Sequence, residues 1–151
     1  MNPKIIKRDA LIIACTFGDG NETAAVWEAF GELEKEKPLA NKLSDNGYEI
    51  RVDDADGWTV YTGLAVSSEQ VDSAYTLFKL PASTYASFDV YVANGYDSEN
   101  DAMDEWLATN KEGYIHKTLD NKHYVVEYYD ERFNGSEAGS IVEIWIPVEK
   151  K

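Results

Sequence analysis

Two stretches of this chain follow one plan, and that repetition constrains the fold more than any single motif. Each reads strand, Gly turn, helix, then strands, over residues 10–66 and again over 82–148. Setting Gly18 on Gly95 places Val26 on Met103 and Phe30 on Leu107, and, with a shift of one residue, brings Tyr48 opposite Tyr124. With a longer hairpin loop in the second half, Val60-Tyr61-Thr62-Gly63 falls opposite Val142-Glu143-Ile144-Trp145. A tandem repeat of one supersecondary unit implies that neither half buries its apolar face alone. Two βαββ units therefore predict an α+β fold, with an antiparallel sheet carrying helices on one face and a ligand cleft on the other. The 151 residues suffice for one domain, spanning 1–151, with a sizeable core.

The last strand carries the clearest chemistry. Side chains alternate between the faces of a strand. Val142, Ile144, Ile146 and Val148 therefore share a core face, while Glu143, Trp145 and Pro147 share the other. An earlier strand, Tyr124 to Tyr129, puts Glu127 and Tyr129 together in the same way. Two strands thus each set a Glu two residues before an aromatic, which suits a wall for flat or cationic ligands. Tyr61 and Gly63 join that wall through the repeat. Gly63 inside a strand implies close approach by a backbone or a ligand.

The other elements follow from periodicity. Residues 1–9 read as a polar leader, and Ala10 to Phe17 as a first strand. Val26, Phe30 and Leu33 form a helical stripe that Pro38 terminates. A polar connection leads to a strand at Tyr48–Val52, and Trp58–Val66 is a longer one with Trp58 on its apolar side. Tyr75–Leu80 is ambiguous. Thr84–Asn94 reads as a strand, and Ser98-Glu99-Asn100-Asp101 has the spacing of a helix-capping box. Met103, Trp106 and Leu107 mark the second helix. Trp27 and Trp106 fall on helices and, like Trp58, read as core. Asp120-Asn121 is the turn between two further strands.

Charge excludes one class of partner. The formal net charge is −14, and no basic run is long enough to read nucleic acid. The acidity would draw in cations over a long range, or simply keep the chain soluble. The single cysteine, Cys15, cannot form an internal disulfide and sits in an apolar strand as a packing residue. Ile12-Ile13-Ala14-Cys15 resembles a lipoprotein cleavage site only superficially, because the apolar run before it is too short. No run approaches a membrane span, so the expected compartment is the cytoplasm. His116 and His123 lack further ligands at metal spacing, and no phosphate loop or nucleophile elbow occurs. Neither a metal nor a cofactor is called for.

These features together resemble the GyrI-like domain, the effector-binding domain of certain AraC- and MerR-type regulators, in a stand-alone form. The resemblance rests on the two βαββ halves, Tyr61-Thr62-Gly63, Leu80-Pro81-Ala82, Val126-Glu127-Tyr128-Tyr129 and Glu143-Ile144-Trp145-Ile146-Pro147-Val148. It runs from about Ala10 to Val148. It implies a pocket between the halves for lipophilic or cationic aromatic molecules. The family's acidic role maps onto Glu127 and Glu143, with Tyr129 and Trp145 beside them. Some relatives of this kind open the cyclopropane of DNA-alkylating compounds, and others bind gyrase. No helix-turn-helix segment flanks the domain, so direct transcription control is not expected.

Three functions follow as expectations. The first is a small-molecule-binding protein using Glu143, Trp145, Glu127, Tyr129, Tyr61 and Gly63. The second is a hydrolase of strained-ring electrophiles, with Glu143 or Glu127 as a carboxyl of raised pKa acting as proton donor. The third is an acidic interaction protein that blocks a DNA-handling enzyme. A protein partner and the oligomeric state are left open.

Overall fold

The two halves meet strand to strand. The computed structural model describes residues 2–151, apart from the side chain of Asp54. Its elements are β1 (Lys4–Arg8), β2 (Leu11–Asp19), α1 (Thr23–Glu36), β3 (Lys42–Asp54), β4 (Gly57–Val66), β5 (Thr76–Leu80) and β6 (Ser83–Tyr91), then α2 (Tyr96–Thr109), β7 (Tyr114–His116), β8 (Thr118–Leu119), β9 (Lys122–Tyr129) and β10 (Ile141–Lys150). One antiparallel sheet runs in the order β1-β6-β10-β9-β3-β4-β2-β5, with β7 on β10 and β8 on β9. The β9–β3 seam joins two four-stranded halves, β9-β10-β6-β1 and β3-β4-β2-β5. No helix among the described residues is long and apolar enough to cross a membrane.

Register sharpens the repeat. Gly63 pairs with Tyr48, and its counterpart Trp145 pairs with Val126. Tyr48 therefore corresponds to Val126 rather than to Tyr124, a slip of two residues from the sequence alignment. The same registers pair Thr62 with Glu49 and Ile144 with Glu127, which makes Glu49 the counterpart of Glu127. These two also face each other directly across the seam. The local pseudo-twofold axis passes between them.

Both helices lie on one face, as the pattern requires. Phe30, Trp27 and Leu33 of α1 pack on Ala14, Leu64 and Val66. Met103, Trp106 and Leu107 of α2 pack on Phe88, Val90, Val142, Ile144, Ile146 and Val148. Each large side chain buried this way contributes roughly 1.5–3 kcal/mol.

The other face is a filled interior. β5 and β6 are six strand steps apart in the sheet, about 29 Å if it were flat. Yet only Pro81 and Ala82 separate Leu80 from Ser83, a span of at most about 11 Å. The sheet must curl until its ends approach. Ile13, Tyr48, Ile50, Tyr85, Tyr124, Val126 and Trp145 fill the concavity. The close approach expected at Gly63 is made by a neighbouring strand: an added Cβ would lie 2.0 Å from the Ala14 carbonyl oxygen.

Several local expectations are corrected. The polar leader contains β1, an edge strand paired to β6. Its lysines are a common means of blunting a sheet edge, which is why the segment reads as leader. Tyr75–Leu80 resolves into β5. The capping-box residues Ser98–Asp101 lie inside α2, which begins after Gly95 at φ +84°. β3 starts early, at Lys42, through an irregularity before Gly47. Asp120 and Asn121 do form the tight turn, both at positive φ, as a two-residue hairpin loop demands.

Candidate ligand-binding site

A cavity of about 650 Å³ lies on the helix side, between α1 and α2 and over the seam. The position of the helices explains it. Each helix covers its own half, and the central strands β3 and β9 are left bare between them. Glu49, Arg51, Val125, Glu127, Tyr129, Ile144 and Ile146 form the floor. Thr23 enters from α1, and Tyr96, Asn100, Met103 and Asp104 from α2. Trp58, at the start of β4, stands at the rim.

The floor is an ion cluster in which Glu49 is buried and Glu127 and Arg51 are partly buried. Arg51 Nε donates to Glu49 Oε2 at 3.0 Å and to Glu127 Oε2 at 3.2 Å. The guanidinium is anchored to the start of α1, with Nη2 donating to Thr23 Oγ1 at 2.7 Å and Nη1 to the Gly20 carbonyl at 3.4 Å. The Trp27 indole donates to Glu49 Oε1 at 2.8 Å. The Tyr129 hydroxyl donates to Glu127 Oε1 at 3.0 Å.

One cation thus serves two carboxyls. Burial, followed by the charge of Glu49 and a hydrogen bond to it, raises the Glu127 pKa well above the usual carboxyl range; Arg51 and Tyr129 only partly offset this. Burial works against the Arg51 charge, but Glu49 and Glu127 overcome it and hold that pKa up. The Tyr129 phenol is raised by burial and by the same two carboxyls. Tyr96 responds likewise.

Trp58 corrects an expectation. It is 45% exposed at the cavity rim, not part of the core, and Tyr96 opposite is 39% exposed. Trp27 is a packing residue whose ring meets Tyr129 edge to face at 5.8 Å, but its N–H also holds Glu49.

The six residues singled out from sequence do not share a wall. Glu127 and Tyr129 line the cavity. Glu143 pairs in register with Tyr128, and Trp145 with Val126, so both point to the opposite face. There Glu143 accepts from Arg8 Nη2 and Arg132 Nη2, each at 2.8 Å, and from Ser87 Oγ. Trp145 is 2% exposed, packed against Tyr48, Tyr85 and Tyr128. The cation over its ring is the chain's own: Arg8 Cζ lies 3.9 Å from the ring centroid. Tyr61 is on that face too, against Phe17 and Phe78. Gly63 faces the β2 backbone. Cys15 is fully buried, and burial pushes its thiol up to about 12.

Glu49, Arg51, Trp58 and Tyr96 are cavity residues that sequence reasoning missed. A signal for Glu49 existed. Aligning the repeat on Gly63 and Trp145, and carrying that register back through each hairpin, sets Glu49 on Glu127.

A family model described as an integron-associated effector binding protein matches residues 16–148. The chain belongs to this family. Integron-associated effector-binding proteins are small-molecule-binding domains, and the GyrI-like resemblance read from the sequence agrees with that assignment. Among curated proteins, none matches the sequence significantly. Solved structures share the fold. SAV2435 bound to tetraphenylphosphonium superposes with TM-score 0.70 at 16% identity, covering 99% of this chain and 94% of that one. The EcmrR C-terminal domain gives TM-score 0.73 at 15% identity, covering 99% and 98%. A hydrolase from Listeria innocua, encoded by lin2189, gives TM-score 0.53 at 12% identity, covering 98% and 92%. Proteins described so differently on one fold show that the side chains of the site, not the fold, must decide between binding and hydrolysis.

Proposed function

We propose that this effector-binding protein takes lipophilic, positively charged aromatic molecules into the cavity between its helices. The observation that carries the reading is the carboxyl pair Glu49 and Glu127, served by a single guanidinium and ringed by aromatics. Glu127 is the charge partner of the ligand, because its carboxyl is the more accessible of the two, 13% exposed against 3% for Glu49. Tyr129 supports Glu127, and Trp58 and Tyr96 close over the flat faces of the guest. A cation over an aromatic face contributes roughly 0.5–2 kcal/mol. Of the residues expected from sequence, Glu127 and Tyr129 keep a ligand-binding role, whereas Glu143, Trp145, Tyr61 and Gly63 belong to the opposite face. The tetraphenylphosphonium complex of a protein with the same fold supports this ligand class.

The test is quenching of tryptophan fluorescence on titration with tetraphenylphosphonium. Saturable quenching that weakens at least about tenfold in Glu127→Gln, a loss of about 1.4 kcal/mol, is the expected result. Absence of saturable binding in the wild type would sink the proposal.

A second reading has one observation in its favour. A Glu127 carboxyl that holds its proton beside the Tyr129 hydroxyl is the donor that opening a strained ring would need. Incubation with a cyclopropane-bearing alkylator, followed by mass measurement of the product, separates the two. A water-added product formed faster than in buffer favours the hydrolase.

A further inference from the structure

We propose that Arg51 sets the charge this site accepts: a ligand enters as a single positive charge and one proton leaves, so monocations are preferred to dications and to neutral molecules of the same shape. This rests on the cation-binding reading above and specifies its selectivity.

The geometry supplies the argument. Both carboxyls meet one N–H of Arg51, at 3.0 and 3.2 Å, so the guanidinium is shared and not doubled. Its remaining nitrogens are committed to Thr23 and to the Gly20 carbonyl, which fixes the fork in place. Arg51 is the only cation among the described residues lining the cavity. Glu49 and Arg51 face the pair's site from β3, Tyr129 from β9, and Tyr96 and Asp104 from α2; what α1, β4 and β10 present there is neutral. Asp104 is exposed at the rim, where water and salt screen it.

A buried cluster holds little net charge, because an uncompensated ion in low dielectric is costly. One guanidinium and two carboxylates sum to one excess negative charge. Without a bound cation, a proton on Glu127 removes that excess. The rise in the Glu127 pKa from burial and from Glu49 agrees with this. An arriving monocation does the same work as the proton. The O–H bond of the carboxyl breaks, the proton passes to solvent, and the cavity stays neutral. A dication would leave one positive charge in excess, and a neutral guest would displace nothing. Without Arg51 the balance shifts by one, and two carboxylates would suit a dication.

The experiment is calorimetric titration of the protein near neutral pH in buffers of different ionisation enthalpy. The probes are tetraphenylphosphonium and, as a dication, a dibenzyl bipyridinium. Wild type is expected to release about one proton per monocation bound, as linkage requires. It should bind the dication at least about tenfold more weakly. Arg51→Met should reverse that preference, and Glu127→Gln should release no proton. A monocation bound with no proton release, or a dication preferred by the wild type, overturns the inference and leaves the cation-binding reading standing. No saturable binding of either probe removes both. If Arg51→Met does not fold, infrared spectroscopy of the wild type decides instead. The band of a protonated carboxyl should be present in the free protein, absent in Glu127→Gln, and lost when tetraphenylphosphonium binds; its persistence in the complex overturns the proposal.

Discussion

Glu127 and Glu143 sit on adjacent strands, each two residues before an aromatic, yet their surroundings differ in kind. Glu143 has two arginines and a serine around it, and the indole beside it is covered by one of those arginines. Glu127 shares its one arginine with a second buried carboxyl and opens onto a cavity. The first arrangement is satisfied from within the chain. The second is short of positive charge, and a cationic guest would supply it. On the proposed reading, a carboxylate beside an aromatic recruits a cationic ligand where the chain has not already provided the cation.

The comparison can be broken most forcefully at Trp145. Trp145→Ala should lose roughly 3–5 kcal/mol in denaturant unfolding, since the curled interior cannot collapse onto the void. The folded fraction should still bind tetraphenylphosphonium as wild type does. Loss of binding in a fully folded variant would mean that the two faces are not independent.

The two glutamates give the next largest contrast. Glu143→Gln should destabilise by roughly 1–3 kcal/mol, because it removes the ion pair to Arg8 and one of the three carboxylates around Arg132, and should leave ligand affinity unchanged. Glu127→Gln should leave stability unchanged or improved while affinity falls. Chemical denaturation and ligand titration of both variants check the pair of outcomes.

The pH dependence of stability sharpens the contrast further. A carboxyl whose folded pKa is raised keeps its proton in the native state after the unfolded chain has lost it. The unfolded state then binds fewer protons, so the Glu127 contribution to stability falls as pH rises from about 4.3, the ordinary Glu value, to the raised native value. It is level beyond that. Glu127→Gln should flatten this segment of the curve. The smallest effect is at the rim: Trp58→Ala should weaken the monocation by roughly 0.5–1 kcal/mol, the range of an exposed cation–π contact, with stability unaltered.

Much of the fold was legible because it is written in local periodicity. The apolar stripe Val26, Phe30 and Leu33 yields α1, and the alternation through Val148 yields β10. β1 was not legible, since two isoleucines among lysines make a strand only when β6 offers an edge. Trp58 looked like core because its strand is apolar beyond it, but the strand starts outside the cover of either helix. Two residues of the cavity floor were missed for a different reason. Glu49 and Arg51 sit on a strand that was recognised, but their importance comes from the partner they face across the seam.

The sequence by itself determined which residues travel together along one strand: Glu127 with Tyr129, and Glu143 with Trp145. That pairing needs only the two-residue period of an extended backbone. Whether the pairs share a face was decided by tertiary structure. β9 and β10 align so that Glu143 meets Tyr128 rather than Glu127, and that single-residue offset sends the second pair into the curled interior. Register is set by the hairpin loop and by the packing of whole faces, neither of which is local to either strand. The same non-local pairing set Glu49 against Glu127 and placed the cavity where the two helices leave the seam uncovered.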